Sequence, residues 1–352
     1  MSIVWYCKYS KISYSLAYDF RYQSMRVFIF TVLAVLLLPL ILLGYLIFFW
    51  HIRRVCIPQN ISGTASEPYT GRLYMHIVGT RPDEAGYKMA WYLPSYGGIV
   101  RLLMIDTLGL ACKISGYKWW LFSYPGPRPS SMATSISHRS YFFDESVKEA
   151  LFRSSNPATQ FVVLGSGFDT RCYDLPEGAD IKCFEVDMAP TLNAKKRALE
   201  LAGIAHEHVT FVETDFNQET WMEALLDSGF NPSLTTYILW EGVTMYLVEE
   251  AVRDTLNLIA TLPAGSAVGM DFFSRDLIEG NPPYEKLSKA THRSISFYSE
   301  SLQFGIATGE NLSDGLEELL KESGLTLTRF EHIGSLDDKK PPYYFFSLIE
   351  KQ

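Results

Sequence analysis

From Gln160 onward, five short apolar runs alternate with stretches of helical spacing, and this alternation restricts the fold more than any other feature of the chain. QFVVLG (from Gln160), IKCFEVD (Ile181 to Asp187), HVTFVETD (His208 to Asp215), TTYILWE (Thr235 to Glu241) and SAVGMDFF (Ser266 to Phe273) read as strands. APTLNAKKRALELAG, ETWMEALLDSG and VEEAVRDTLNLIATL, lying between them, carry helical periodicity. Strands joined by crossover helices form a parallel sheet, and strands this uniformly apolar are covered on both faces.

The rhythm breaks at the end of the chain. A helix, GLEELLKESG, is followed by LTLTRFEHIG, the polar SLDDKKPP and YYFFSLIEK. Two successive strands joined by a loop predict an antiparallel hairpin at the sheet edge. An α/β chain with a mostly parallel sheet closing in such a hairpin has the outline of a class I methyltransferase, a Rossmann-like fold.

Upstream, Val27 to Trp50 contains no charged residue and is long enough for a transmembrane helix, which needs about 20 apolar residues. Pro39 and Gly44 are tolerated in such helices, and Trp50 suits an interfacial aromatic belt. We therefore expect a tail over residues 1–26, a single membrane span over 27–50 and a linker over 51–72. The linker reading rests on PQNISGTASEPYTGR, rich in Pro, Gly, Ser and Thr. A methyltransferase domain is expected over 73–352, with a helical N-terminal part at 73–150. A Pro-rich loop is expected from Ser123 to Ser131. Lys8, Lys11, Arg21 and Arg26 before the run favour a cytosolic N-terminus, whereas the chemistry favours a cytosolic catalytic domain; we follow the chemistry.

Composition excludes several classes. Of 352 residues, 47% are hydrophobic and 20% charged, which supports a packed core. The net charge of −8 argues against general nucleic-acid binding. Five widely spaced cysteines form no C-x-x-C pair, so neither a disulfide framework nor a zinc knuckle is expected. His206-Glu-His208 lacks a third ligand, and no metal site is expected.

The first strand runs into Gly165-Ser166-Gly167-Phe168-Asp169-Thr170-Arg171. Two glycines permit a tight turn and close backbone approach to a ligand, and a following helix would present free N–H groups. Thr170 replaces the third glycine of a dinucleotide fingerprint, which disfavours pyrophosphate binding. Glu185 and Asp187 end the second strand on one face, and an acid there can accept from ribose hydroxyls. Asp215 ends the third strand and could accept from an adenine amino group, or start a turn. Glu241 ends the fourth, where ligand crevices form.

Four blocks, SHRSYFFDESV, FVVLGSGFDTRCYDL, CFEVDMAPTLNAKKRAL and LWEGVTMYLVEEAV, resemble in order those of the leucine carboxyl methyltransferase family. The resemblance covers about residue 130 to the C-terminus and implies S-adenosyl-L-methionine as cofactor. It implies that Arg139 grips the methionine carboxylate, with His138 where the family often has alanine. Gly165 and Gly167 would form the turn against the cofactor, shaped by Asp169 and Arg171. It assigns Asp187 to the ribose, Asp215 to the adenine side, and Glu241, with Tyr246 in the same block, to the neighbourhood of the methyl donor. Lys195 reads as a solvated lysine.

Methyl transfer to oxygen follows as the expected reaction. A carboxylate acceptor is already ionised at neutral pH; a hydroxyl acceptor needs a base, for which Glu241 or His292 could serve. Residues 274–310 are expected to build an acceptor pocket, with Arg275, His292, Arg293 and Tyr298 able to meet an acidic substrate. The acceptor stays open between a protein C-terminal carboxylate and a small apolar acid or phenol. A membrane-anchored NAD-dependent oxidoreductase and an inactive cofactor-binding scaffold remain as alternatives.

Overall fold

The computed structural model describes residues 3–122, 124, 131–176, 178–215, 220–334 and 341–352, without the side chains that precede Gln23 or those of Trp120 and Met132. The seven strands are β1 (Gln160–Leu164), β2 (Lys182–Asp187), β3 (Val209–Glu213), β4 (Thr236–Trp240), β5 (Ala267–Phe273), β6 (Leu325–Ile333) and β7 (Tyr344–Lys351). They form one sheet in the order β3-β2-β1-β4-β5-β7-β6. The first five run parallel; β7 inserts antiparallel between β5 and β6. Each expected strand is present within one to two residues of its expected ends, and the terminal pair forms the expected edge hairpin.

Twelve α-helices accompany the sheet among the described residues. The N-terminal set is α1 (Ile3–His51), α2 (Ser66–Val78), α3 (Glu84–Met89), α4 (Gly97–Val100), α5 (Thr107–Ser115) and α6 (Ser135–Phe152). A π-helical segment, Arg101–Asp106, joins α4 and α5 into one rod. The sheet helices are α7 (Ala189–Ala202), α8 (Trp221–Asp227), α9 (Glu249–Ala260), α10 (Arg275–Glu279), α11 (Glu285–Phe297) and α12 (Asp314–Ser323).

Two apolar cores sandwich the sheet. Val162, Phe184, Ile238 and Val268 point into one, Phe161, Val163, Tyr237 and Leu239 into the other, as period-two alternation requires. A third core ties α1 to α2 and to the rod through Phe48, Tyr69, Tyr96 and Met104.

Two expectations about the N-terminal region change. Residues 51–72 are no linker: His51 continues into a π-helical segment at Ile52–Cys56, and α2 begins at Ser66 with Tyr69 and Leu73 fully buried. The Gly, Ser and Thr content that reads as a linker instead permits close packing: a Cβ on Gly71 would lie 2.5 Å from Ile136, and one on Gly63 2.6 Å from Tyr298. Residues 3–26 likewise continue helix α1 rather than forming a separate tail. The Pro-rich loop at 123–131 lies largely outside the described residues, as does most of the segment 335–342.

Candidate active site

Strand order reverses between β1, whose chain leaves towards β2, and β4, so a crevice opens at their C-terminal ends. A cavity of about 760 Å³ occupies it. Gly165 and Gly167 turn the chain at its wall with φ of 66° and 44°. A Cβ at Gly165 would lie 2.3 Å from Val243, and one at Gly167 2.9 Å from Ala65, so both positions need glycine for conformation and for space.

The Gly167 N–H donates to Asp187 Oδ2 at 2.6 Å, and the Met188 N–H donates to Asp187 Oδ1 at 2.7 Å. Burial pushes the Asp187 carboxyl up, while these two N–H groups pull it back. Each carboxylate oxygen keeps a further lone pair for a ligand. Asp215 also lines the cavity. Glu185 does not: it lies two residues back along β2, fully buried, with Oε2 2.6 Å from Lys195 Nζ. Glu185 is thus a partner of Lys195 rather than a cavity residue. The reading of Lys195 as solvated is also corrected, because helix α7 turns it inward onto that carboxylate.

The expected helix after the glycine turn is absent. Arg171–Tyr173 is a single 3-10 turn, and Thr170 Oγ1 donates to Asp83. Asp83 itself caps α3 by accepting from the Gly86 N–H at 2.8 Å. The loop is therefore pinned from the N-terminal helices and offers no long helix start to a pyrophosphate.

Arg171 braces the site. Its Nε donates to Asp144 at 2.7 Å, and its Nη1 donates to Asp169 and, at 2.7 Å, to Glu241. Asp144 comes from α6, Asp169 from the glycine loop and Glu241 from the end of β4. Burial opposes the ionised form of Asp169, but Arg171 and Arg72 outweigh it and hold the carboxyl at about 2. Burial would likewise raise the Glu241 carboxyl; Arg171, Arg139 and Arg72 overcome it and set it below the usual range. Glu241 is a locked carboxylate, unsuited to act as the general base.

Arg139, on α6, lines the cavity. Its Nε lies 2.8 Å from Glu241 Oε1, and its Nη1 donates to the Tyr344 hydroxyl at 2.9 Å. Among the described residues no partner meets its Nη2. His138, beside it, has Nδ1 3.0 Å from the Thr134 carbonyl and does not line the cavity. Tyr246 does line it, on a 3-10 turn after β4, with burial pushing its phenol up.

Four participants were missed in the sequence. Arg72 on α2 donates to the Phe168 carbonyl at 3.1 Å and approaches Asp169 to 3.5 Å. It stood inside the supposed linker and gave no signal. Asp271 accepts from the Gly242 N–H at 2.6 Å and from the Tyr344 hydroxyl. A lone acid in the otherwise apolar strand AVGMDFF was a readable sign. Tyr344 belongs to the last strand. Glu300 lines the cavity and accepts from Thr64 Oγ1 at 2.7 Å.

The segment 274–310 contributes α10 and α11. Tyr298 reaches the cavity; Arg275, His292 and Arg293 do not line it. His292 Nε2 lies 2.9 Å from the Ile278 carbonyl, and Arg275 Nη2 donates to Glu249 at 3.3 Å, so both are turned to structural partners. The pair His206 and His208 likewise meets backbone carbonyls, of Ile204 at 2.9 Å and Cys172 at 2.8 Å.

The profile described as Leucine carboxyl methyltransferase matches residues 123–260, which hold Arg139, the glycine turn, Asp187 and Glu241. Over these residues the chain is similar to the leucine carboxyl methyltransferase family. Two relatives are similar over part of the chain. A Bacillus subtilis protein named, provisionally, as an S-adenosyl-L-methionine-dependent methyltransferase is 31% identical over 189 residues, 51% of this chain and 57% of that protein. A Streptomyces avermitilis protein with the same provisional designation is 37% identical over 157 residues, 43% of this chain and 53% of that protein. The chain thus spans about half the length of these curated relatives. A crystal structure of a duf574 family protein from Streptomyces avermitilis has a TM-score of 0.48 at 14% identity, over 84% of this chain and 100% of that one.

Proposed function

We propose that the chain is an S-adenosyl-L-methionine-dependent methyltransferase acting on an oxygen of a small, largely apolar acceptor. The hydrogen bond from Gly167 N–H to Asp187, set at the sheet's switch point against the cavity, carries this reading. A glycine cradle that any Cβ would fill, beside an acid with free lone pairs, suits a nucleoside.

When bound, S-adenosyl-L-methionine supplies an electrophilic methyl group. Asp187 accepts from the ribose hydroxyls and Asp215 from the adenine amino group. Arg139 offers Nη2 to the amino-acid carboxylate, while Glu241, Asp271 and Tyr344 hold its guanidinium in place. The acceptor side is lined by Val243, Met245, Phe273, Leu287, Ala290 and Ile295, which excludes water from the transfer. Alignment of nucleophile and donor, rather than acid–base chemistry, is the protein's main contribution.

Locking of Glu241 and the turned-away His292 favour an acceptor oxygen that arrives ionised. A carboxylate fits this; a hydroxyl would lack its base. Residues 27–50 would attach the enzyme to a membrane with the catalytic domain on the cytosolic side.

Calorimetric titration of the full chain in detergent tests the cofactor. Saturable binding of S-adenosyl-L-methionine and S-adenosylhomocysteine, lost in Arg139→Ala, is expected. Binding of NAD alone would overturn the assignment and support an oxidoreductase. Cofactor binding without turnover on any carboxylic acid would support an inactive scaffold.

A further inference from the structure

Helix α1 is not surrounded by open space on all sides. From residue 26 to 52 one face is covered in regular helical steps. Phe30, Gly44, Phe48 and Ile52 are buried, and Leu33, Leu37, Ile41 and Tyr45 are half-buried between them. The cover is the α4–α5 rod, running antiparallel. His51 stands beside Gly97, and a Cβ on Gly44 would lie 2.9 Å from the Met104 nitrogen. Phe30 meets Tyr117 and Trp119 with ring centroids 5.1 and 5.8 Å apart. Arg26 reaches Gly116. The hydroxyls of Tyr45 and Tyr74 share a hydrogen bond of 2.8 Å, so α2 also grips the helix.

The opposite face of α1 exposes Phe28, Val35, Leu36, Leu42, Leu46 and Trp50. On the rod, Ile99, Leu102 and Leu110 are each 50% exposed and Ile114 58%. Trp91 and Tyr92 are exposed as well. The basic side chains Arg53, Arg54, Lys113 and Lys118 are exposed next to these apolar faces, although the chain as a whole carries −8.

We infer that α1 lies in the plane of a membrane, flat along the side of the domain, and that α1 and the rod together form one face that docks on an anionic lipid surface. This rests on the membrane attachment proposed above and specifies its geometry.

Depth decides between lying and crossing. The antiparallel pairing puts Arg101 of the rod beside the stretch of α1 between His51 and Gly44, Asp106 just beyond Gly44, and Lys113 nearer Phe30. Arg101 and Asp106 pair at 3.4 Å, and the Tyr87 hydroxyl donates to Asp106 at 2.9 Å. If α1 crossed a bilayer, these neighbours would sit at hydrocarbon depth beside it, where charges are costly and backbone outside helices has no partner. A helix in the plane needs only one apolar face in lipid, which is what the one-sided burial provides. The exposed Arg and Lys side chains then meet anionic headgroups, and Trp50, Trp91 and Tyr92 take interfacial positions.

The full chain, diluted from detergent onto preformed vesicles, tests this in two steps. Flotation should show binding to phosphatidylcholine vesicles containing phosphatidylglycerol, and weaker binding to phosphatidylcholine alone. No binding to either, or a stable dimer that ignores vesicles, would overturn both the attachment and its geometry. Met25→Cys and Gln59→Cys, each with Cys7→Ser, are then labelled with a membrane-impermeant maleimide added outside. Both should react without detergent. Labelling of Gln59→Cys alone until detergent is added would overturn the in-plane geometry while leaving the attachment intact. Leu110→Glu with Ile114→Glu should reduce vesicle affinity roughly tenfold or more, since each replaces a lipid-facing apolar side chain by a charge. Unchanged affinity in a variant with wild-type thermal unfolding would remove the rod from the docking face.

Discussion

Arg171 and Glu241, seventy positions apart in the sequence, meet at 2.7 Å across the mouth of the sheet. The contact joins the loop after β1 to the end of β4, the two strands that flank the switch point. Through Asp144 the same guanidinium also fixes α6, which carries Arg139. One side chain thus sets the spacing between the glycine turn and Arg139, the two elements proposed to hold the cofactor.

Replacing Arg171 by Ala should cost about 3–5 kcal/mol of stability, because Asp144, Asp169 and Glu241 together lose the one cation that all three share. Arg171→Lys should restore little, since one ammonium cannot serve Asp144, Asp169 and Glu241 together. Denaturant unfolding of both variants measures this.

Gly167→Ala should weaken cofactor binding by roughly tenfold or more and lower stability by about 1–3 kcal/mol, the usual cost of a non-glycine residue held at positive φ. A methyl group there would press against Ala65 at 2.9 Å. Calorimetric affinity and thermal unfolding of the same sample separate the two effects.

Asp187→Asn should weaken cofactor affinity while leaving turnover of the saturated enzyme closer to wild type. Glu241→Gln should reduce turnover and affinity together, because it loosens Arg139 as well as the centre. Full kinetic profiles of the two variants distinguish a ligand-binding acid from a positioning one.

Lys195→Met should destabilise the fold by about 3–5 kcal/mol, leaving the buried Glu185 carboxyl without its cation. Cofactor affinity of the fraction that folds should be unchanged, since neither residue lines the cavity. The double variant with Glu185→Leu should recover much of the loss.

Acid should unfold the protein partly through Asp169. Its carboxyl falls from an ordinary 3.8 to about 2 in the folded state. A depressed value stabilises the fold above the unfolded pKa, and that contribution, about 2 kcal/mol, is lost as pH drops from near 4 through 2. Glu241 acts in the same direction, while the raised carboxyls of Asp187 and Asp271 act oppositely. Asp169→Asn should flatten the stability profile over that window.

Much of the domain was legible because its signals are local. Strand alternation, the glycine turn and the acid at the end of β2 each follow from a few adjacent residues, and the structure brings Gly165, Gly167, Asp187, Asp215 and Glu241 to one cavity. The failures share a different cause. Lys195 and Glu185 are polar residues at unremarkable spacing, and only their burial against each other gives them meaning. Arg72 and Thr64 lay in a stretch whose composition reads as a connector. Small residues serve flexible chain and close helix packing equally well, and composition does not tell the two apart.

Contiguous residues alone specify the sheet, its edge hairpin, the blocks that resemble leucine carboxyl methyltransferases and a helix of bilayer length, because hydrophobic period, turn chemistry and apolar run length are local properties. Tertiary structure decided which charges neutralise one another around Arg171, that Glu241 is locked rather than free, and that α1 is covered on one face. These depend on contacts between separate elements, such as Arg171 with Glu241 across 70 positions, and no local pattern encodes which partner arrives.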